Sequence, residues 1–182
     1  MNLNNWFAKA MTSETYVKKM KKNKDNLLHI YNSFEIPDIP EQYAQIEKHN
    51  LRVIVLTEDW CGDAMLNVPI LLRLSEKTNM EVRMLLRDEN LDLMDQYLTN
   101  GKSRSIPIFI FIDQDGNEVA KWGPRSEYIQ QFVDKLRAQL PHKDDEKYEE
   151  QFKETLSTTT KSFLERKDFW EDVHNSILEK LI

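Results

Sequence analysis

The chain contains one cysteine, Cys61, which follows an apolar run and precedes a segment with helical spacing. A cysteine that ends a strand and opens a helix lies beside unpaired backbone N–H groups and the positive end of the helix dipole. Such a position can lower the pKa of a thiol and favour the nucleophilic thiolate. Glu58, Asp59 and Asp63 oppose this effect, because neighbouring carboxylates disfavour another negative charge. The residues therefore leave two uses open for Cys61, a reactive thiol or a small buried side chain.

The composition limits the classes of protein to which the chain can belong. Its 182 residues are 40% hydrophobic and 31% charged with a net charge of −6, which predicts one soluble domain with a substantial core. The acidic balance argues against a nucleic acid partner. No apolar run reaches the roughly 20 residues that a bilayer-spanning helix needs, so we expect no membrane partner. With one cysteine and no signal-peptide pattern, we expect a reducing cytoplasmic location.

The strands that would hold Cys61 are visible as apolar runs. Residues 52–56 and 81–86 are strand-length runs on either side of a helical segment, which predicts a parallel pair. Residues 108–112 and 118–122 flank a turn that contains Asp115-Gly116, which predicts a hairpin. An amphipathic helix follows the hairpin. The order predicts an α/β fold with a mixed central sheet covered by helices.

Helical spacing dominates the rest of the chain. We expect a helix start at Thr12 with a stripe that continues to Phe34, and a short helix that ends at Gly101. Residues 144–182 read as one long helix or two, with a break near the Ser157–Thr160 run. The apolar stripe of this last segment packs against its own domain or forms a homodimer or partner surface, and the sequence leaves both open.

The residues around Cys61 resemble the active site of a known family. Trp60-Cys61-Gly62-Asp63-Ala64 is similar to the thioredoxin motif, in which a tryptophan precedes C-x-x-C. Thioredoxins carry a helix-kinking proline eight residues after the first cysteine, and Pro69 stands there. Ile106-Pro107 matches the family's cis-proline, which faces the cysteine at the start of a strand. The segments WCGD, SRSIP and WGPR together resemble those of a group of bacterial thioredoxin-like proteins.

This resemblance implies a thioredoxin-like fold with helical extensions at both termini. We expect a core over residues 51–141, an N-terminal helical extension over residues 1–50 that joins the core, and a C-terminal helical extension over residues 142–182. It also implies a site in which Cys61 is the catalytic residue. Trp60, Gly62, Asp63, Ile106 and Pro107 would contact the substrate.

Ala64 departs from the family pattern, because it stands where the resolving cysteine would be. A dithiol enzyme needs that second thiol to release its mixed disulfide. Two functions remain: a monothiol oxidoreductase that uses an external thiol, and a non-catalytic module that binds an extended polypeptide beside Pro107. The partners would be proteins or low-molecular-weight thiols. We expect no cofactor, and no metal because the four histidines lack ligand spacing.

Overall fold

A five-stranded mixed sheet forms the centre of the molecule, for which a computed structural model describes residues 2–182. The strand order is β1-β3-β2-β4-β5. β2 and β3 are parallel, and the other neighbours are antiparallel. The mixed sheet and its hairpin confirm the prediction. The strands are β1 (Met11–Thr12), β2 (Arg52–Thr57), β3 (Glu81–Leu86), β4 (Ile108–Ile112) and β5 (Glu118–Trp122).

Helices cover both faces of the sheet, which is why every residue of β4 is buried. None of the described helices is long and apolar enough to cross a membrane. A single 3₁₀ turn, Arg87–Glu89, follows β3. The α-helices are α1 (Asn4–Lys9), α2 (Ser13–Lys19), α3 (Lys24–Ser33), α4 (Pro40–Glu47), α5 (Gly62–Thr78), α6 (Leu91–Met94), α7 (Glu127–Arg137), α8 (Tyr148–Glu165) and α9 (Lys167–Leu178).

α5 connects the two parallel strands and carries the cysteine at its start. Cys61 is its N-cap, and Asn79, with a φ of 52°, ends it in the left-handed conformation that asparagine tolerates. Pro69 lies inside this helix. α5 packs against both α3 and α9, so both terminal segments contact the helix that positions Cys61.

Two helix predictions were wrong in their extent. The helix expected to end at Gly101 ends at Met94, because Asn100 and Gly101 both have positive φ and form a tight turn. This turn is closed by the Thr99 N–H, which donates to the Ser103 carbonyl at 2.8 Å. The break expected near Ser157–Thr160 lies at Arg166 instead. The threonines stay helical there, with the Thr159 hydroxyl bonded to the Thr155 carbonyl.

The N-terminal apolar stripe, predicted as continuous helical spacing, forms two separate helices, α2 and α3. The helix start at Thr12 is confirmed, because the Thr12 hydroxyl accepts the Thr15 N–H at 3.2 Å. The stripe is interrupted after Met20, however, and Asn23 has a φ of 56° where α3 begins. The two residues of β1 were not predicted. They pair with β3 and tie the N-terminal segment to the sheet.

Candidate functional site

The cysteine lies where the end of β2 meets the start of β4. The Cys61 thiol donates a hydrogen bond to the Ile106 carbonyl, with Sγ 3.4 Å from the oxygen. The Ala64 N–H donates to the same sulfur at 3.4 Å, which makes Cys61 a side-chain cap of α5. The residue is only 8% exposed. The thiol is therefore held between the helix start and the Ile106 backbone.

Burial raises the pKa of the Cys61 thiol to about 11. The negative charge of Asp63 also contributes to this raised pKa, while the N–H groups of Ala64 and Asp63 and the cation of Arg125 act against it. The two N–H groups belong to the N-terminus of α5, and Arg125 adds a cation from the segment before α7. Desolvation outweighs these groups here, because the removal of water destabilises the charged thiolate more than the neutral thiol.

Two loops meet beneath the cysteine. The Ile106–Pro107 and Gly123–Pro124 peptide bonds are both cis. Gly123 has a φ of +121°, and a Cβ atom at this position would lie 2.2 Å from the Pro107 carbonyl oxygen. Only glycine allows so close an approach of the two backbones. The Asn67 side chain then holds the second loop by donating to the Pro124 carbonyl at 3.0 Å.

An ion pair closes one side of the site. Both oxygens of Asp63 accept from the Arg125 guanidinium at 2.7 Å, and each side chain is 15% exposed. Arg125 also donates to the Gln130 side chain at 3.0 Å. Asp63, predicted as a substrate contact, thus has its carboxylate bound by Arg125. Arg125 was not predicted as a site residue, although it follows the cis Gly123-Pro124 bond within the WGPR segment.

A cavity of about 740 Å³ opens beside the thiol. We call it the thiol groove, and its walls include Trp60, Cys61, Arg87, residues 103–106, Arg125 and Arg137. Trp60 is 45% exposed, and the Arg87 guanidinium lies 4.9 Å from its ring centroid. The groove combines an accessible aromatic ring with several cationic side chains.

The structure brings most of the predicted site residues to this groove. Trp60, Cys61, Asp63 and Ile106 line it. Gly62 is exposed at the start of α5 and Pro107 is buried immediately before β4, and neither is among the lining residues. Within residues 2–182, no group of three or more histidine, cysteine, aspartate or glutamate side chains is arranged to hold a metal ion.

The other acids near the cysteine have backbone partners. Asp59 accepts the N–H groups of Lys21 and Lys22, at 2.8 and 3.2 Å, and so fixes the segment between α2 and α3. Glu58 accepts the Asp88 N–H at 2.9 Å. These contacts give the two carboxylates structural roles on the side of β2 that faces β3.

Comparison with known proteins decides the family. The family model described as Thioredoxin matches residues 10–137. The chain belongs to the thioredoxin family. The match includes the N-terminal residues from β1 onward as well as the site around Cys61. A comparison with curated proteins finds no match.

Solved structures share the fold over nearly the whole chain. A protein of unknown function from Pseudomonas aeruginosa has a TM-score of 0.69 and 13% identity, covering 98% of this chain and 96% of that one. An HIV epitope scaffold has a TM-score of 0.67 and 13% identity, with the same coverage of 98% and 96%. At this identity the likeness concerns the fold alone, and it extends over the terminal helices.

A thioredoxin is also among the similar structures. It is a mutant thioredoxin from Halobacterium salinarum, with 21% identity and a TM-score of 0.35, covering 54% of this chain and 83% of that one. A TM-score this low does not establish a shared fold, so the family assignment rests on the family model.

Proposed function

We propose that this thioredoxin-family protein is a non-catalytic module that binds an extended polypeptide in the thiol groove, beside Pro107. The observation that carries the proposal is the contrast between the thiol and its surroundings. Cys61 is 8% exposed and bonded to Ile106, whereas Trp60 beside it is 45% exposed at an open cavity. The exposed Trp60 ring is suited to contact with a partner, whereas the Cys61 thiol is largely buried in the groove wall.

The protonation of Cys61 argues against turnover. With a pKa of about 11, the thiolate is on the order of one part in ten thousand at pH 7. A mixed disulfide formed there would also lack a second thiol in the chain to break it, because Cys61 is the only cysteine. Both steps of the dithiol cycle are therefore unfavourable at this site.

The groove offers what a polypeptide interface needs. Tryptophan and arginine carry much of the binding energy in protein interfaces, and Trp60 and Arg87 lie together at its rim. Its volume of about 740 Å³ falls within the usual range for ligand sites. A polypeptide could place side chains against Trp60 while its backbone runs past Ser105 and Ile106.

Monothiol exchange with an external thiol is the second candidate. It is favoured by the Ala64 N–H, which donates to the sulfur and would stabilise a thiolate. The two candidates differ in their dependence on sulfur: exchange requires Cys61, whereas polypeptide binding requires Trp60 and the groove.

A displayed library of random 12-residue peptides separates them. Peptides selected on the native protein are measured by fluorescence anisotropy against Cys61→Ser, Trp60→Ala and Leu156→Ala. Serine keeps a donor for the Ile106 carbonyl, so Cys61→Ser should bind as the native protein does. Trp60→Ala should weaken binding at least tenfold, the scale of a lost aromatic anchor. Leu156→Ala is the matched control, since Leu156 is 47% exposed on α8.

The outcomes are distinct. Binding that is lost in Cys61→Ser and abolished by a reducing agent would support monothiol exchange and contradict the proposal. Equal binding by Trp60→Ala and the native protein would place the peptide elsewhere on the surface.

A further inference from the structure

Arg87 joins two parts of the thiol groove. One part is the Trp60 ring, whose centroid lies 4.9 Å from the Arg87 guanidinium. The other is the segment before the cis-proline, which we call the 103–106 wall. The Arg87 Nη1 donates to the Arg104 carbonyl in this wall at 3.0 Å, and its Nε donates to the Asp88 carboxylate at 2.9 Å. One planar side chain therefore connects the aromatic ring to the backbone of the opposite wall.

The 103–106 wall is also held from a second side. The Arg104 guanidinium donates to both carboxylate oxygens of Asp95, just after α6, at 2.7 and 2.9 Å. The wall is thus restrained by the protein itself, and the contact with Arg87 extends this restraint to the Trp60 ring. A side chain that is restrained before binding loses less conformational entropy when a partner packs against it.

The charged side chains that line the groove balance one another. Its arginines at positions 87, 104 and 125 all form ion pairs, and the two remaining charged residues are opposite in sign. A charged group of a ligand would therefore give up hydration without meeting an excess of opposite charge. Among residues 2–182 the ion pairs are Arg87–Asp88, Arg104–Asp95 and Arg125–Asp63, and the two other lining charges are Asp134 and Arg137 on α7.

The Trp60 side chain offers the groove an accessible apolar surface. It is 45% exposed although the Arg87 guanidinium lies against its ring. An aromatic side chain that packs against such a ring gains from the burial of apolar area and from the favourable geometry of ring pairs. It also gives up no charge hydration on entering the groove. An uncharged aromatic side chain therefore fits this surface better than a charged one.

We infer that the bound polypeptide places an uncharged aromatic side chain against Trp60, and that Arg87 is the positioning residue that holds the ring for it. The inference rests on the proposed function and specifies the anchor residue of its partner. Arg87 acts on the partner through Trp60 and the 103–106 wall, since its own donors are already bonded to Asp88 and Arg104.

The first test uses the peptides selected on the native protein. These should share an aromatic residue at one position, and its replacement by alanine should weaken binding at least tenfold. Lysine or glutamate at that position should bind no better than alanine. The loss on replacement by alanine should be the same at about 0.05 and 0.5 M NaCl, because salt screens charges and not ring packing.

Variants of Arg87 test its positioning role. Arg87→Gln should weaken the aromatic peptide about fivefold and leave the affinity of the alanine peptide unchanged, which a double-mutant cycle measures. Arg87→Lys should show the same loss, because an ammonium cannot both stack on the ring and donate to the Arg104 carbonyl. Arg73→Gln is the matched control. Arg73 is also ion-paired, to Glu76 at 2.8 Å, and lies 5.3 Å from the Tyr31 ring centroid, but it is outside the groove.

A fluorine signal tests the position of the ring without a peptide. In protein labelled with 5-fluorotryptophan, the ¹⁹F resonance of Trp60 is assigned with Trp60→Phe. It should shift in Arg87→Gln and stay in place in Arg73→Gln. An unchanged resonance in Arg87→Gln would overturn the inference.

The binding results separate the inference from the proposed function. If Trp60→Ala weakens binding but Arg87→Gln does not, or if the selected peptides share a charged anchor instead, the inference is overturned and the proposed function stands. If Trp60→Ala binds as the native protein does, or if no peptide is selected, the proposed function fails and the inference fails with it.

Discussion

Two charged side chains act on the protonation of Cys61 in opposite directions. Asp63 raises the pKa of the thiol and Arg125 lowers it, and the two form a bidentate ion pair with each other. Within this ion pair, the positive charge of Arg125 offsets part of the effect of Asp63 on the thiol pKa. Burial, which raises the pKa most, is independent of both charges.

The first prediction concerns the reactivity of this thiol. With a pKa of about 11, Cys61 should react with iodoacetamide at pH 8 about two orders of magnitude more slowly than a free cysteine of pKa 8.5. Asp63→Asn should lower the thiol pKa and speed the reaction, and Arg125→Gln should slow it. Mass spectrometry across pH 6–10 measures the rates. A native thiol that titrates near 8.5 would contradict the role given to burial.

Gly123 provides a second prediction at a single residue. A Cβ there would lie 2.2 Å from the Pro107 carbonyl oxygen, and the φ of +121° is a conformation that only glycine adopts freely. Gly123→Ala should reduce the free energy of unfolding by about 3 kcal/mol. Gly62→Ala is the matched control, because nothing lies within 4 Å of its Cβ position. Urea denaturation of both variants provides the measurement, and equal stabilities would contradict the close approach.

Secondary structure elements differed in how well the sequence predicted them. β2, β4 and β5 were predicted because long apolar or alternating runs with turn residues between them carry their own signal. β1 has two residues, too few for a period, and it exists through pairing with β3. The prediction of a helix that ends at Gly101 was wrong, because a turn at Asn100 and Gly101 replaces its last residues. A hydrogen bond between Thr99 and Ser103 closes this turn.

In the candidate site, too, residues in local motifs could be predicted and residues that depend on tertiary contacts could not. Cys61, Trp60 and Ile106 could be predicted because they belong to short motifs with known spacing. Arg125 was missed, since its role depends on a contact with Asp63 across 62 positions of sequence. The burial of Cys61 could not be predicted either. The neighbouring charges are visible in the sequence, but the exclusion of water from the thiol depends on the tertiary packing.

His174 on α9 predicts a pH dependence of stability. It is fully buried between Phe34 and Tyr43, and burial lowers the pKa of its imidazole. The unfolded chain, with a histidine pKa of about 6.5, therefore takes up a proton at higher pH than the folded protein does. The contribution of His174 to stability is present above about pH 6.5. It is lost as the pH falls toward the lowered value.

A comparison at two pH values tests this. The free energy of unfolding of the native protein should fall between pH 7.5 and 5.5, and His174→Gln should show a smaller fall because glutamine does not titrate. Urea denaturation at both pH values gives the difference, in which other titrating groups cancel. An equal fall in the two proteins would exclude His174 as its source.

At the scale of the whole molecule, the two C-terminal helices differ in how they join the core. α9 packs on α5 and buries Phe169, Trp170, Val173 and Ile177. α8 buries only Phe163 among its 18 residues and leaves Leu156 47% exposed. α9 is therefore part of the domain that holds the cysteine, whereas the outer face of α8 remains solvent-facing in the single chain.

Matched truncations of side chains should show this difference. Phe169→Ala should cost about 3–5 kcal/mol, because Phe169 is fully buried against Phe132 and Phe163. Leu156→Ala on α8 should change stability by no more than about 0.5 kcal/mol. Urea denaturation should show one transition for each protein. A separate transition for the C-terminal helices would contradict this packing. It would mean that α9 unfolds independently of the core and therefore does not share a core with α5.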